Sequence, residues 1–176
     1  MVARKLELMR RYDETAGFYD RRYEDTQRAK YRMITKNLPR GSKRILDLGC
    51  GTGMFLEELC AEFVVGVDAS PEMLKVAKGR ARGVALVRAD ADALPFADGS
   101  FDAVVSVTLL QNMPNPAVTV REVARVLNLG GVTVLTVLKR KYSREELEKW
   151  VKQAGMKLID SGEIEGNEDI FCVAKL

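Results

Sequence analysis

Apolar positions follow two different periods along this chain. In the first part they recur every three to four residues, from Leu8 to Ile34, which predicts helix with a break near Gly17. The stretch "LPRGS" then interrupts the helix, and beyond it short apolar runs alternate with amphipathic segments. We therefore expect one domain overall, divided into an N-terminal helical segment over 1–40 and a core over 41–176.

The core pattern predicts strands that alternate with helices. Strands are predicted over "RILDLG", "VVGVD", "VALVRAD", "FDAVVSVTLL", "GVTVLTVLK", "MKLIDSGEI" and "DIFCVAKL". Helices are predicted over "GTGMFLEELCAEF", "SPEMLKVAKGRA", "NPAVTVREVARVLN", which "LGG" ends, and "SREELEKWVKQAG". This order predicts an α/β fold with a mainly parallel sheet and helices on both faces. The last two strands are joined by the short turn "EGNE", which predicts a hairpin and so one antiparallel strand near the C-terminus.

Two helix starts carry capping signals. Ser70 precedes Pro71, which suits the first position of a helix. Ser143 and Glu146 have the spacing of a capping box, and Gly155 marks the end of the same helix.

Composition indicates a soluble globular protein. The chain has 176 residues, of which 47% are apolar and 30% are charged. No apolar run approaches the roughly 18–20 residues that span a bilayer, and the N-terminus "MVARKLELMRRYDE" lacks the apolar stretch of a signal peptide. We expect a cytoplasmic protein with no membrane association.

The composition also limits the chemistry. The chain contains no histidine, which removes the usual general base and the commonest metal ligand. Cys50, Cys60 and Cys172 match no zinc or redox spacing, so no metal site is predicted.

The net charge of +3 is unevenly distributed. Residues 1–44 contain 13 Lys and Arg against 6 Asp and Glu, whereas residues 45–176 contain 15 against 19. A basic arm of this kind attracts an anionic partner, or it is the solvated face of an amphipathic helix. The arm comprises Arg10, Arg11, Arg21, Arg22, Arg28, Lys30 and Arg32.

The stretch "ILDLGCGTG" follows the first predicted strand and contains Gly49, Gly51 and Gly53. Glycines at the carboxyl end of a strand permit a tight turn and let a ligand lie against bare backbone. The spacing is neither that of a P-loop, which needs a following Lys, nor the dinucleotide pattern G-x-G-x-x-G. Asp47 stands two residues ahead of the first glycine, which disfavours a pyrophosphate and suits a ligand with an ammonium group.

Two further acids follow the second and third predicted strands. Asp68 ends "VVGVD", where a carboxylate can accept hydrogen bonds from a ribose diol. Asp90 follows "VALVR", where it can accept from an adenine amino group. The carboxyl ends of parallel strands lie at one edge of the sheet, so we expect the three acids to surround one ligand site.

These motifs together resemble the class I S-adenosylmethionine-dependent methyltransferases, in particular the ubiquinone/menaquinone-biosynthesis-like methyltransferase type 11 group. "ILDLGCGTG" is similar to the first motif of that family and "VVGVDASPEMLKVAK" to the second. "RADADALPFADGSFDAVVSVTLLQNMPNP" resembles the third and fourth, and "REVARVLNLGGVTVLTV" the helix and strand that follow. The resemblance implies a Rossmann-like seven-stranded sheet and S-adenosylmethionine as cofactor.

The resemblance also implies contacts with the adenosine part of the cofactor. Asp68 would hold the ribose hydroxyls, and Asp90 would bind the adenine amino group. Ala69 and Met73 would pack on the adenine, with the Ala91 amide on the ring.

Contacts with the methionine part follow from the same resemblance. Asp47 would lie near the ammonium group, and Gly49, with Gly51 and Gly53, would lie against the methionyl chain. Ser106 would offer backbone close to the same group.

The N-terminal segment is similar to a cofactor cover. Tyr19, in "AGFYD", resembles a tyrosine that closes over the cofactor carboxylate in relatives, so we expect a helical cover over 1–40. Relatives often have histidine where this chain has Gln111 and Asn112, so a general base at that position is in doubt. The candidate polar groups near the acceptor are Tyr12, Tyr19, Tyr23, Gln111 and Asn112.

The methyl acceptor is not identified by these motifs. After the fifth strand the chain passes almost at once into a helix, without the lid that many small-molecule relatives insert there. Together with the basic arm, this favours RNA or protein as acceptor, with a partner subunit as a further expectation. The alternatives are a small hydrophobic acceptor, a non-catalytic cofactor-binding subunit of a larger methyltransferase, and a dinucleotide oxidoreductase.

Overall fold

The computed structural model describes residues 2–15 and 19–176, and within them the side chains of 5, 7, 9, 10, 12–14 and 27–176. The helices are α1 (Val2–Thr15), α2 (Tyr19–Asn37), α3 (Pro71–Arg80), α4 (Pro116–Val126) and α5 (Arg144–Gln153). The strands are β1 (Arg44–Leu48), β2 (Phe63–Asp68), β3 (Ala85–Arg88), β4 (Phe101–Ser106), β5 (Leu127–Leu138), β6 (Lys157–Glu163) and β7 (Asp169–Lys175). None of the helices over these residues is long and apolar enough to cross a bilayer.

The strands form one seven-stranded sheet in the order β3-β2-β1-β4-β5-β7-β6. The pairs from β3 to β5 are parallel, whereas β7 runs antiparallel to both β5 and β6. This confirms the predicted mainly parallel sheet with one antiparallel strand near the C-terminus. The strand order reverses between β1 and β4, and ligands bind at such reversals in open α/β sheets.

Each face of the sheet buries its own hydrophobic cluster. On one face Tyr31 and Ile34 of α2 pack with residues of β1, β4 and β5, and the Tyr31 ring stacks on Phe55 with centroids 4.5 Å apart. On the other face α4 and α5 pack through side chains such as Val120, Val123 and Leu147. Helices therefore cover both faces, as the alternating pattern predicted.

The helix predicted directly after β1 was wrong. This connection is a series of turns that contains only one short 3-10 helix, Leu56–Glu58. Gly51 and Gly53 have φ values of 54° and 79°, which a helix does not adopt. Phe55 is nevertheless only 2% exposed, because its ring stacks on Tyr31 of α2. Apolar residues of this segment are thus buried without forming a helix.

The fourth strand is shorter than its apolar run predicted. β4 ends at Ser106, and the residues that follow form a turn and a 3-10 helix, Leu110–Asn112. Thr108 has a φ of 58°, which is incompatible with an extended strand. The apolar residues after β4 thus belong to a loop at the carboxyl edge of the sheet.

Both predicted helix caps are present. Ser70 Oγ accepts a hydrogen bond of 3.1 Å from the Met73 amide, and Pro71 is the first residue of α3. Ser143 and Glu146 form the reciprocal capping box of α5. α4 ends at Val126, two residues earlier than predicted, because β5 already begins at Leu127.

Candidate functional site

A cavity of about 130 Å³ lies at the carboxyl ends of β1, β2, β3 and β4, under helix α1. Its walls are the glycine loop after β1, the turns after β2 and β3, the loop after β4, and one side of α1. Seven of the predicted cofactor residues line it, namely Gly49, Gly51, Asp68, Ala69, Met73, Asp90 and Ala91. The topology thus brings most of the predicted site together.

The glycine loop turns back over the end of β2. The amides of Gly49 and Cys50 donate hydrogen bonds of 2.8 and 3.0 Å to the Val67 carbonyl. A side chain at Gly49 would meet Leu109 at 3.1 Å, whereas a side chain at Gly51 would point into open space. Gly51 thus leaves room beside the backbone, as the sequence predicted for a ligand-binding loop.

Asp68 joins the glycine loop to the start of α3. Its carboxylate accepts hydrogen bonds of 2.9 Å from the amides of Gly51 and Ser70. Burial raises the pKa of Asp68, while the hydrogen bonds from backbone amides lower it and so limit the shift. The side chain lines the cavity in a fixed orientation and can accept further hydrogen bonds from a ligand hydroxyl.

Asp47 is a buried carboxyl group with an unused oxygen. Only 1% of the residue is exposed, and Oδ2 has no hydrogen-bond partner among the described residues. Burial, with a smaller contribution from the charge of Asp68, raises the pKa of Asp47 to about 8. A buried carboxyl oxygen of this kind fits a ligand that carries an ammonium group, because such a group supplies both a donor and a compensating charge.

Asp90 already has a cationic partner from the N-terminal helix. Lys5 Nζ lies 2.6 Å from Asp90 Oδ1 and 2.5 Å from Asp92 Oδ2. Asp92 also accepts a hydrogen bond of 2.5 Å from Thr119 Oγ1. Partial burial raises the pKa of Asp90. The hydrogen bonds that its carboxylate accepts from Lys5 and from the Asp92 amide lower the pKa by more, so the net shift is downward. The carboxylate predicted for the adenine amino group is thus bonded to α1.

Three of the remaining predicted cofactor residues, Asp47, Gly53 and Ser106, lie outside the cavity lining. Gly53 packs against α3, where an added side chain would meet Ala77 at 3.0 Å. Ser106 is fully buried and donates a hydrogen bond of 3.0 Å to the Leu48 carbonyl, which ties β4 to β1. The side chain of Tyr19 lies outside the described residues, and so does that of Tyr23. The cofactor roles of all eleven predicted residues, including the seven that line the cavity, stay predictions.

The cavity is also lined by residues that the sequence did not point to. Lys5 and Met9 of α1, and Thr108 and Leu109 after β4, line the cavity. The loop residues lay inside an apolar run that predicted strand, so nothing in the pattern marked them. Two predicted candidates meet each other, since Asn112 Nδ2 donates a hydrogen bond of 2.8 Å to the Tyr12 hydroxyl.

One residue of the basic arm is not on the surface. Lys30 is 3% exposed, and its ammonium group lies 3.0 Å from the Asp169 carboxylate. Its inclusion among the charges that meet an anionic partner was therefore wrong. Lys30 lies four positions before the buried Ile34. Helical spacing therefore places it on the face of α2 that packs on the sheet.

Comparison with known proteins gives matches over most of the chain. An uncharacterised protein of Methanocaldococcus jannaschii, MJ1252, is 37% identical over 134 residues, which are 76% of this chain and 52% of that protein. The demethylmenaquinone methyltransferase of Thermus thermophilus is 41% identical over 116 residues, 61% of this chain and 53% of that protein. The chain spans about half the length of the curated relatives it matches.

Solved structures show the same fold at low sequence identity. The complex between the Haloferax volcanii Trm112 methyltransferase activator and a methyltransferase matches with a TM-score of 0.84 and 21% identity, over 93% of this chain and 96% of that chain. The [4+2]-cyclase SpnF matches with a TM-score of 0.74 and 20% identity, over 82% of this chain and 78% of that chain. At these identities the likeness concerns the fold alone.

The model of the methyltransferase domain family matches residues 46–135, which begin in β1 and end in β5. The matched region is more than half of the 176 residues and includes the glycine loop, Asp68 and Asp90. The chain therefore belongs to this family, the class I S-adenosylmethionine-dependent methyltransferases that its motifs resemble.

Proposed function

We propose that this protein binds S-adenosylmethionine in the cavity under α1 and transfers its methyl group to an acceptor. The observation that carries the proposal is the meeting of three carboxylates with the open glycine loop at one edge of the sheet. Asp47 supports an ammonium contact, because its buried Oδ2 has no partner in the described part of the chain. Asp68 supports a ribose contact, because it lines the cavity at the end of β2.

The chain's own residues would act by orientation and by exclusion of water. S-adenosylmethionine, when bound, supplies a methyl group on a sulfonium centre that is already a good leaving group. Alignment of donor and acceptor can then provide much of the acceleration, and a general base is optional. This suits a chain without histidine whose cavity is lined on the α1 side by Met9 and Tyr12.

The same proposal assigns α1 the role of a movable cover. The helix contacts the rim of the cavity through Lys5 on Asp90, Tyr12 on Asn112, and Asp13. With α1 in this position the cavity is about 130 Å³, less than the roughly 300 Å³ at the lower end of ligand pockets. We therefore expect a bound cofactor to displace α1 and to replace the bond from Lys5 to Asp90.

For the acceptor we propose a small, apolar molecule with an ionisable hydroxyl, of the quinol type. Three observations support this choice over RNA. The cavity next to the glycine loop is lined by apolar side chains such as Met9, Leu109 and Met113, and relatives include demethylmenaquinone methyltransferases. Lys30, which contributed to the expectation of RNA binding, is buried.

RNA remains the second candidate because part of the basic arm faces solvent. Arg28 and Arg32 are exposed along α2. Phosphate contacts by such side chains release counterions, so genuine RNA binding weakens steeply with salt. A partner subunit is a further proposal, which rests on the solved complex of a similar fold with the Trm112 activator.

Replacement of Asp68 tests the cofactor proposal. Asp68→Ala is expected to weaken binding of S-adenosylhomocysteine by about 2–3 kcal/mol, because a charged hydrogen-bond acceptor is lost. Asp160→Ala is the matched control, since Asp160 is an exposed carboxylate on β6, at the far edge of the sheet. Calorimetry measures both affinities, and circular dichroism checks that Asp68→Ala folds. Equal affinity of folded Asp68→Ala and wild type would refute the assignment.

Replacement of Asp47 should raise the stability of the protein but weaken its ligand binding. Its pKa is raised from an ordinary 3.8 to about 8, so the folded protein holds a proton that the unfolded chain releases between these values. The free energy of unfolding of wild type should therefore fall as pH rises from about 4 to 8.

Asp47→Asn should flatten this dependence and raise the free energy of unfolding at pH 8 by about 1 kcal/mol or more. It should also weaken binding of S-adenosylhomocysteine, since the ammonium partner is lost. Urea denaturation at several pH values and calorimetry measure the two effects. A variant that gains no stability at pH 8, or that binds as well as wild type, contradicts this role of Asp47.

Hydrogen exchange tests the cover. Amides of residues 2–15 should exchange more slowly when S-adenosylhomocysteine binds, because a bound ligand gives α1 a fuller surface to pack on. α5, which lies remote from the cavity lining, should exchange at the same rate with and without ligand. If α1 also exchanges identically in both states, it is not a cover.

Labelled methyl transfer distinguishes the acceptors. S-adenosylmethionine with a tritiated methyl group is incubated with demethylmenaquinol or with total RNA, at low and high salt, with and without a Trm112-type activator. We expect label in the quinol, little changed by salt or by Arg28→Ala with Arg32→Ala. Label in RNA that is lost at high salt and in the double variant moves the assignment to RNA. Absence of label in both, from a protein that binds S-adenosylhomocysteine, favours a non-catalytic cofactor-binding subunit.

A further inference from the structure

A buried ion pair lies behind the wall of the cavity. Lys30 of α2 and Asp169, the first residue of β7, are 3% and 0% exposed, and Lys30 Nζ lies 3.0 Å from Asp169 Oδ1. Burial lowers the pKa of Lys30, and the charge of Asp169 opposes this shift. Because the desolvation of two charges often outweighs their attraction, such a pair is weak evidence for stability and requires another explanation.

The ion pair meets a residue with an unfavourable backbone. Thr108 has a φ of 58° and is the non-glycine residue with a positive φ in the described part of the chain. A β-branched side chain is strongly disfavoured in this region, so neighbouring groups must hold it there.

Every polar group of Thr108 takes part in a hydrogen bond. Its hydroxyl accepts from Lys30 Nζ at 2.8 Å and donates to Asp169 Oδ2 at 2.9 Å. Its amide donates to Thr136 Oγ1 at 2.9 Å, and Thr136 in turn donates to Asp169 Oδ2 at 3.1 Å. Its carbonyl accepts from the Gln111 side chain. Thr108 itself makes four of these hydrogen bonds. Three of the four lead to the Lys30–Asp169 pair, either directly or through Thr136.

The turn at Thr108 determines where the next residues lie. Thr108 itself lines the cavity, together with Leu109 and Asn112. The Leu109 side chain reaches the glycine loop, 3.1 Å from the position a side chain at Gly49 would take. Asn112 donates to Tyr12 of the α1 cover. A change of conformation at Thr108 would therefore move the cavity wall that faces both the glycine loop and α1.

We propose that Lys30 and Asp169 are positioning residues that hold Thr108 in its left-handed conformation and thereby set the cavity wall formed by residues 107–112. The proposed function enters only through the choice of S-adenosylhomocysteine as the probe. The pair acts through hydrogen bonds to Thr108 rather than through its charge. A neutral pair that preserves these hydrogen bonds should therefore replace it, and a neutral apolar pair should not.

Two double variants separate the hydrogen bonds from the charge. Lys30→Gln with Asp169→Asn removes both charges and keeps a donor and an acceptor for Thr108. Lys30→Met with Asp169→Leu removes both charges and both hydrogen-bonding groups at similar volume. Neither leaves a single buried charge behind, which is the change that usually unfolds a protein.

We expect the Gln/Asn variant to bind S-adenosylhomocysteine within about threefold of wild type, and the Met/Leu variant to bind about tenfold more weakly. Hydrogen exchange of residues 108–112 in the ligand-free protein should be faster in the Met/Leu variant only. Adding Thr108→Gly to the Met/Leu variant should restore affinity, because glycine adopts a positive φ without support. A general loss of stability would not be repaired by this glycine.

Wild-type affinity and exchange in the folded Met/Leu variant would overturn the proposal, as would equal loss in both double variants. If the Met/Leu variant does not fold, Thr108→Val removes the same hydroxyl contacts and should weaken binding and speed exchange in the same segment, and wild-type behaviour of that variant overturns the proposal. If wild type itself does not bind S-adenosylhomocysteine, the proposed function fails, and the exchange comparison still tests the positioning.

Discussion

The reversal of strand order between β1 and β4 is the constraint on which the site depends. From β1 the chain continues to β2 and β3 on one side, and from β4 it continues to β5 on the other. The loops after β1 and β4 consequently leave in opposite directions, and a crevice opens between them. Asp47, Gly49 and Gly51 lie on one side of it, and Thr108 and Leu109 on the other. The same topology that forms the core therefore leaves one edge of the sheet where a ligand can reach the backbone.

Collecting carboxylates at that edge has an electrostatic cost, which the structure meets differently at each strand. Asp90 has a cationic partner in Lys5, and Asp68 has backbone amides. Asp47 has neither at Oδ2, is the most deeply buried of the three, and is shifted to a pKa of about 8. The uncompensated group is the one that the family resemblance places next to an ammonium. A ligand that supplies that ammonium would remove a cost which the protein alone retains.

Sequence patterns predicted the elements that have a regular apolar period and the residues that have a distinctive chemistry. The fold class, the capping residues and the acids after the first three strands were recognisable, because periodicity and residue type reveal them. The connection after β1 was mispredicted as helix, since Phe55, Leu56 and Leu59 have apolar spacing that a packed loop satisfies equally well. Lys30 looked like a surface charge, because its partner Asp169 is 139 positions away and only the fold brings them together.

The two N-terminal helices, which form one basic segment in the sequence, are attached to the core in different ways. α2 is held by buried side chains, including Tyr31 and Ile34, and by the Lys30 ion pair inside the fold. The hydrogen bonds and ion pairs described for α1 lie at the cavity rim, and its Met9 lines the cavity. The proposed cover role of α1 requires these rim contacts to open at a lower free energy than the buried contacts of α2. Because Lys30 of α2 reaches Thr108 and Tyr12 of α1 reaches Asn112, both helices contact the loop after β4, and in the proposed function α1 is the one of the two that moves.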